Sequence, residues 1–193
     1  FYVVGDCGGS QSAPTTVISF ATPCSYVTEL PFVEDFEGAW AESGLSNAAA
    51  PDCWININGG YSSTTYAWKQ YTTATNVYAG LASAQSYGYT SATTSTYVNN
   101  DFLITPVIDV EGGARLSFWA KKGTTSYNGK IKIKYYDVTE NGDIASASDT
   151  ANFIDLVEIS NFTTTYEKYT FDLPELPSTY RIALARQDTS NGY

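Results

Sequence analysis

Asn99-Asn100-Asp101-Phe102-Leu103-Ile104-Thr105-Pro106-Val107-Ile108-Asp109-Val110, followed by Gly112-Gly113-Ala114-Arg115-Leu116-Ser117-Phe118-Trp119-Ala120, decides the fold class of this chain. An acidic turn leads into a short apolar strand that Pro106 interrupts, and a double-glycine turn opens the next segment. There Leu116, Phe118 and Ala120 alternate with Arg115, Ser117 and Trp119. A period of two places one set on a buried face and the other in water. No catalytic group stands out in this stretch.

Outward from it the same pattern repeats. Strands are expected near 32–37, 53–57, 67–71, 81–85, 101–104, 114–120, 130–136, 155–159, 166–172 and 180–186. Gly59-Gly60, Gly112-Gly113, Asn128-Gly129 and Asn141-Gly142-Asp143 supply the turns, with a proline-containing turn from Pro174 to Pro177. Many short strands with long connections predict an all-β jelly-roll sandwich. Lys130, Lys132 and Lys134 alternate with Ile131 and Ile133, which reads as a solvated face or a charged edge that blocks edge pairing. The connections 38–52 and 86–100 are long enough to suggest function or mobility.

Residues 1–24 read as two strands, 1–4 and 17–21, around a Gly/Ser/Pro-rich link. Two strands are marginal alone, so this piece is expected to be the tail of a preceding incomplete β-sandwich, with residues 25–193 forming the main domain. The strand-like start and the turn-like end both read as cuts from a longer polypeptide.

Sixteen Tyr among 193 residues, with much Thr, Ser, Val and Ile, suit pleated, half-buried surfaces. The net charge of −10 works against binding nucleic acid or anionic lipid. There is no apolar run long enough to cross a bilayer as a helix. The absence of His removes Ser-His-Asp and Cys-His catalysis and most zinc sites. No phosphate-binding loop, dinucleotide fingerprint or nucleophile elbow is present. A carboxylate pair for glycoside hydrolysis is not singled out among the acids. The expectation is a non-enzyme.

Three cysteines, Cys7, Cys24 and Cys53, leave one over. If the first two strands pair as a hairpin, Cys7 and Cys24 stand roughly 25 Å apart at the usual strand rise. A disulfide needs Cα atoms within about 7 Å. Cys24 with Cys53 meets no such objection and would close the entrance of the main domain; three reduced thiols are the alternative.

Three acidic clusters could converge on Ca²⁺, or be turn formers only: Glu34-Asp35-Phe36-Glu37, Asn99-Asn100-Asp101, and Gln187-Asp188-Thr189-Ser190-Asn191-Gly192. Tyr61, Tyr66, Trp68 and Tyr71 could form a sugar-stacking platform, or be core and rim residues. Asn161-Phe162-Thr163 matches the N-glycosylation acceptor.

Leu30-Pro31-Phe32-Val33-Glu34-Asp35-Phe36-Glu37-Gly38, Pro51-Asp52-Cys53-Trp54, the 100–106 and 112–121 segments and Arg186-Gln187-Asp188-Thr189-Ser190-Asn191-Gly192-Tyr193 together resemble the cleaved-adhesin family, also described as a choice-of-anchor J, MAM-like domain. Such domains occur in the adhesin regions of gingipain-type proteases and in Bacteroidetes surface proteins. The resemblance spans roughly residues 24–193. It implies a jelly-roll sandwich, type IX secretion to the cell surface or medium, structural calcium, neighbouring domains of the same polypeptide, and adhesion to a host or matrix protein or glycan. Carried over, it assigns Ca²⁺ to Asp35, Glu37, Asp101, Asp188 and Asn191. Family members continue past the Asn-Gly-Tyr with a further acidic strand, whereas this chain stops, so an unpaired edge and an incomplete calcium site are expected. Residues 1–24 are similar to the end of a fibronectin type III domain, and Asp149-Thr150-Ala151 resembles a short O-glycosylation acceptor of Bacteroidetes. The alternative function is a carbohydrate-binding accessory domain of a secreted hydrolase or protease.

Overall fold

The computed structural model describes residues 8–9, 12, 24–42, 45, 48–59, 67–86, 99–125 and 129–188. Strands expected at 1–4 and 17–21, with Cys7, Tyr61, Tyr66 and Asn191, lie outside the described residues.

The strands, in chain order, are β1 (Ala41–Glu42), β2 (Ala49–Ala50), β3 (Ile55–Asn58), β4 (Lys69–Tyr71), β5 (Ser83–Gln85), β6 (Asn99–Ile104), β7 (Ile108–Asp109), β8 (Arg115–Ala120), β9 (Ile131–Asp137), β10 (Ile154–Ile159), β11 (Glu167–Asp172) and β12 (Thr179–Asp188). One sheet runs β10-β9-β12-β6-β3, with β7 also paired to β12. β8 pairs with β11, β4 with β5 and β1 with β2, all antiparallel. Cys24 and Cys53 form a disulfide with Cα atoms 5.5 Å apart. It ties the segment that bridges Val27 to Ile108 to the start of β3.

Alternation along the central strands gives the sheet two different faces. On one, Ile133 and Ile182 pack with Leu116, Phe118, Tyr169 and Phe171 of the β8–β11 pair, and Leu103 packs with Trp54 and Trp68 beside β4. That is the interior of the sandwich. On the other, Ile55, Ile57, Phe102 and Ile104 meet Tyr136, Ile144 and Phe153. Ala183 and Ala185, both fully buried, leave room for those rings; Phe153 lies 5.5 Å from Phe102 and 5.1 Å from Tyr136. The cover on this second face is a helical connection: α1 (Val138–Asn141), capped by the Asp137 carboxylate on Glu140 N–H at 3.0 Å, then a 3-10 turn over Ala147–Asn152. Asp149 bonds the N–H groups of Ala145 and Ser146 and so starts that turn, and Thr150 Oγ1 donates to Ala147 O, so both polar residues of the glycosylation-like triplet are engaged locally.

Two expectations need correction. Residues 32–37 form no strand. Phe36 N–H bonds Glu34 Oε1 at 2.7 Å, Glu37 N–H bonds Asp35 Oδ1 at 3.0 Å, and Phe36 takes a left-handed backbone with φ 63°. Short acidic side chains here capture backbone donors that a ladder would need. The Lys130–Lys134 row is no edge, because β9 lies between β10 and β12. Lys130 pairs with Glu158, Lys132 with Asp155, and the buried Lys134 also with Asp155.

Candidate functional site

The acidic loop 34–38 is held by side chains rather than by a ladder. Glu37 Oε1 accepts from Leu81 N–H at 2.6 Å and Ala82 N–H at 3.1 Å. Gly80, at φ +74°, permits that approach; a Cβ there would lie 2.1 Å from the same oxygen. From β4, Gln70 Nε2 donates to Phe36 O and Gly38 O, both at 2.8 Å. The buried Asn56 amide reaches Ala49 O at 2.6 Å and Trp68 O at 2.7 Å, joining β3 to its irregular neighbours.

Asp101 sits elsewhere, 1 % exposed on the inward face of β6, directly across from Asn58 on β3 and Arg186 on β12. Asp188 pairs in register with Asn99 through its backbone, and its side chain, like Asn191, lies outside the described residues. Of the five residues assigned to Ca²⁺, the structure therefore brings Asp35 and Glu37 into one loop and puts Asp101 in the sheet. Among the described residues no three acidic or cysteine side chains come together as a metal site.

A cleft of about 630 Å³ opens beside the disulfide, between Tyr26, Trp54, Val107 and Arg181. Its cation is committed: Arg181 donates to both Asp143 oxygens at 2.8 and 3.0 Å and to Thr105 O at 2.6 Å. Burial pushes the Asp143 carboxyl up, but Arg181 and the Ile144 N–H more than offset it and hold it below the usual carboxylate range.

Trp68, open from sequence to a stacking platform or to the core, is 7 % exposed, packs on Trp54 and Leu103 and donates its indole N–H to Asp101 O at 3.4 Å. It is core. A different platform exists, assembled from three distant segments. Trp119 projects from the outer face of β8 and is 43 % exposed, and Tyr78, 48 % exposed, stacks on it with centroids 4.1 Å apart at 14°. Tyr166 tilts against Tyr78 at 5.4 Å. The Tyr166 hydroxyl donates to Asn76 O at 2.7 Å, Lys121 Nζ lies 5.1 Å over its ring and donates to Thr75 O at 2.8 Å. These bonds fix the 74–78 turn against β8 and so hold Tyr78 on Trp119. Burial, partly offset by a hydrogen bond with Ser83, raises the Tyr166 phenol above its ordinary value, so it stays a neutral donor.

The strand register lays out what surrounds the rings. Opposite Trp119 is Lys168, then Ser117 opposite Thr170, then Arg115 opposite Asp172. Arg115 and Asp172 form an exposed ion pair at 2.6 Å, and the Asp172 hydrogen bond raises the guanidinium further above its usual value. Rigid rings beside small hydroxyls and cations can stack on a flat apolar surface and hydrogen-bond its edges. The signal in the sequence was Trp119 itself, a large ring at a solvent-facing position; Tyr78 and Tyr166 carry none, because only the fold brings them to it.

No family model matches the chain, and no curated protein sequence matches it. Among solved structures, the K1 cleaved adhesin domain of Lys-gingipain (Kgp) from Porphyromonas gingivalis W83 is similar in fold, with 21% identity and a TM-score of 0.52 over 78% of this chain and 89% of that domain. The K2 cleaved adhesin domain of Lys-gingipain is similar at 14% identity and a TM-score of 0.51, over 81% of this chain and 88% of that domain. The chain thus has an adhesin-like β-sandwich fold.

Proposed function

We propose that this chain is a non-catalytic binding module of a secreted or surface-exposed adhesin, one part of a larger multidomain protein, that captures a host or matrix protein or glycan. The observation that carries the reading is the exposed Tyr78–Trp119 stack on the outer face of the sandwich. Apolar rings left in water on a face whose neighbours are polar are characteristic of contact surfaces. The likeness to cleaved adhesin domains supports the same reading. That those neighbours are domains of Lys-gingipain also favours, as a second reading, an accessory role beside an enzyme on the same polypeptide.

Structural calcium belongs to this proposal, held by Asp35, Glu37, Asp101, Asp188 and Asn191. The described geometry fits it only in part: Asp35 Oδ1 and Glu37 Oε1 already serve backbone donors, and Asp101 is buried in the sheet.

A combined glycan and protein array probed with the 193-residue chain tests the reading. The expected result is a defined ligand class, lost in Trp119→Ala. Blank arrays, or turnover of a polysaccharide or peptide by the chain, overturn it.

A further inference from the structure

We infer that the outer face of β8 and β11 takes a glycan ending in a single carboxylated sugar, with Trp119 stacking on a pyranose and Lys168 supplying the counter-charge. The inference rests on the binding-module reading and gives it a ligand class.

Register places Lys168 directly across the strand pair from Trp119. Such cross-strand neighbours have Cβ atoms about 5 Å apart. A carboxylate carried by a sugar resting on the indole is then within the span of the lysine stem. The stacked pair sets one face of each ring against the other, and both residues keep over two-fifths of their surface exposed. Ser117 and Thr170 form the next pair along the same face and offer hydroxyls to sugar hydroxyls.

Charge makes the choice of ligand specific. The chain has 20 acids against 10 Lys and Arg. Lys130, Lys132, Lys134, Arg115 and Arg181 are all paired with carboxylates. Lys168 makes no ion pair among the described residues, although acids outnumber bases two to one. Asp172 on this face is neutralised by Arg115, and Glu167, beside Lys168 but turned to the opposite face, receives the Tyr169 hydroxyl at 3.5 Å. The face is therefore a small cationic island on an anionic molecule. A sulfated polymer or nucleic acid would extend beyond it into the field of the whole protein, whereas a single carboxylate lies within about 8 Å, one screening length, of the lysine. Two rings and a few hydroxyls are also small against the roughly 800 Å² per partner of a stable protein interface, and match a mono- or disaccharide end better.

The test titrates the 193-residue chain with 3′-sialyllactose, lactose and a heparin tetrasaccharide, by calorimetry and saturation-transfer NMR. Sialyllactose should bind at least about tenfold more tightly than lactose, a difference of 1.4 kcal/mol, and the heparin fragment more weakly than either. Lys168→Gln should bring sialyllactose to the lactose level with lactose unchanged, Lys168→Arg should restore the preference, and Trp119→Ala should lose both sugars while the melting temperature falls by only a few degrees, the loss of one stacked pair. Equal affinity for the two sugars, tightest binding of heparin, or a preference that survives Lys168→Gln overturns the inference. If no sugar binds but the arrays return a protein ligand lost in Trp119→Ala, this inference falls and the binding-module reading stands. If the arrays are blank as well, both fall.

Discussion

The central strands and the loop-built end of the sandwich are held by opposite means. Around β6, β9 and β12 the backbone ladder fixes position, and alternate side chains fill both faces: Phe102, Leu103, Ile104 and Ile133 are completely buried. Around residues 34–42 and 67–86 the strands are two or three residues long, and single polar side chains do the joining, Glu37 to Leu81 and Ala82, Gln70 to Phe36 and Gly38, Asn56 to Ala49 and Trp68. The first region loses stability by losing area and the second by losing a bond. The first should open only when the domain unfolds, whereas the second can open locally.

The largest effect should come from cutting the first region. Phe102→Ala removes a fully buried ring that packs on Phe153. The cost should be about 4 kcal/mol, lowering the melting temperature by about 10 °C in a domain of this size. A fall of only one or two degrees would show that the β6 face relaxes freely and that the contrast is false.

Calcium should act mainly on the second region. A ligand that binds only the folded state adds about 2.7 kcal/mol at one hundred times its dissociation constant. Chelation should then lower the melting temperature by about 5–10 °C. Asp35→Asn or Asp101→Asn should shrink that difference and leave the fold intact. Identical melting with and without chelator makes the five residues structural or turn-forming only.

One ion pair joins an irregular segment to the sheet, and pH tests it. Arg181 is buried and Asp143 about half exposed. Asp143→Ala leaves the guanidinium, among the described residues, with Thr105 O as its hydrogen-bond acceptor. The cost should be about 2 kcal/mol, below the usual figure for a fully buried pair because water reaches the carboxylate. The Asp143 carboxyl is depressed in the folded state, so its stabilisation is complete above the unfolded value of about 4 and is lost as pH falls through the folded value. The gap between wild type and Asp143→Ala should therefore be constant from neutral pH down to about 5 and close below about 4. A gap that persists at about pH 2 assigns the loss to packing.

The same contrast explains what the sequence disclosed. β8 and β11 were legible because burial on one face imposes a period of two, whereas β6, β9 and β12, filled on both faces, were legible as short strand-forming runs between turn residues. Residues 32–37 also look strand-like, yet Glu34 and Asp35 bond the backbone two residues on and turn the chain. Chain geometry argued against Cys7 with Cys24 but left Cys24–Cys53 and three reduced thiols open, and the structure has the Cys24–Cys53 disulfide. Trp68 and Trp119 could not be told apart by type; Leu103 and Trp54 pack on the first, whereas the second stands on the outer face of β8 and stacks with Tyr78. Contacts across tens of residues leave no periodic trace.

The smallest effect separates the two roles open to Glu37. Its Oε1 clamps Leu81 and Ala82 N–H in an exposed turn, so Glu37→Ala should cost only about 1 kcal/mol. Hydrogen exchange should find that loss locally, with faster exchange at the Leu81 and Ala82 amides and none at Phe102 or Ile133. Glu37→Gln keeps a carbonyl acceptor of the same shape while removing the charge, so both amides should remain largely protected. Calcium has no such tolerance, because replacing a carboxylate with an amide weakens a hard-cation ligand. If Glu37→Gln retains amide protection but loses the rise in melting temperature with calcium, Glu37 is a ligand as well as a clamp. If both survive, it is a clamp only. If instead Glu37→Ala speeds exchange in β6 and β9 together with the turn, the loop-built end unfolds with the sheet, and the division between the two regions fails.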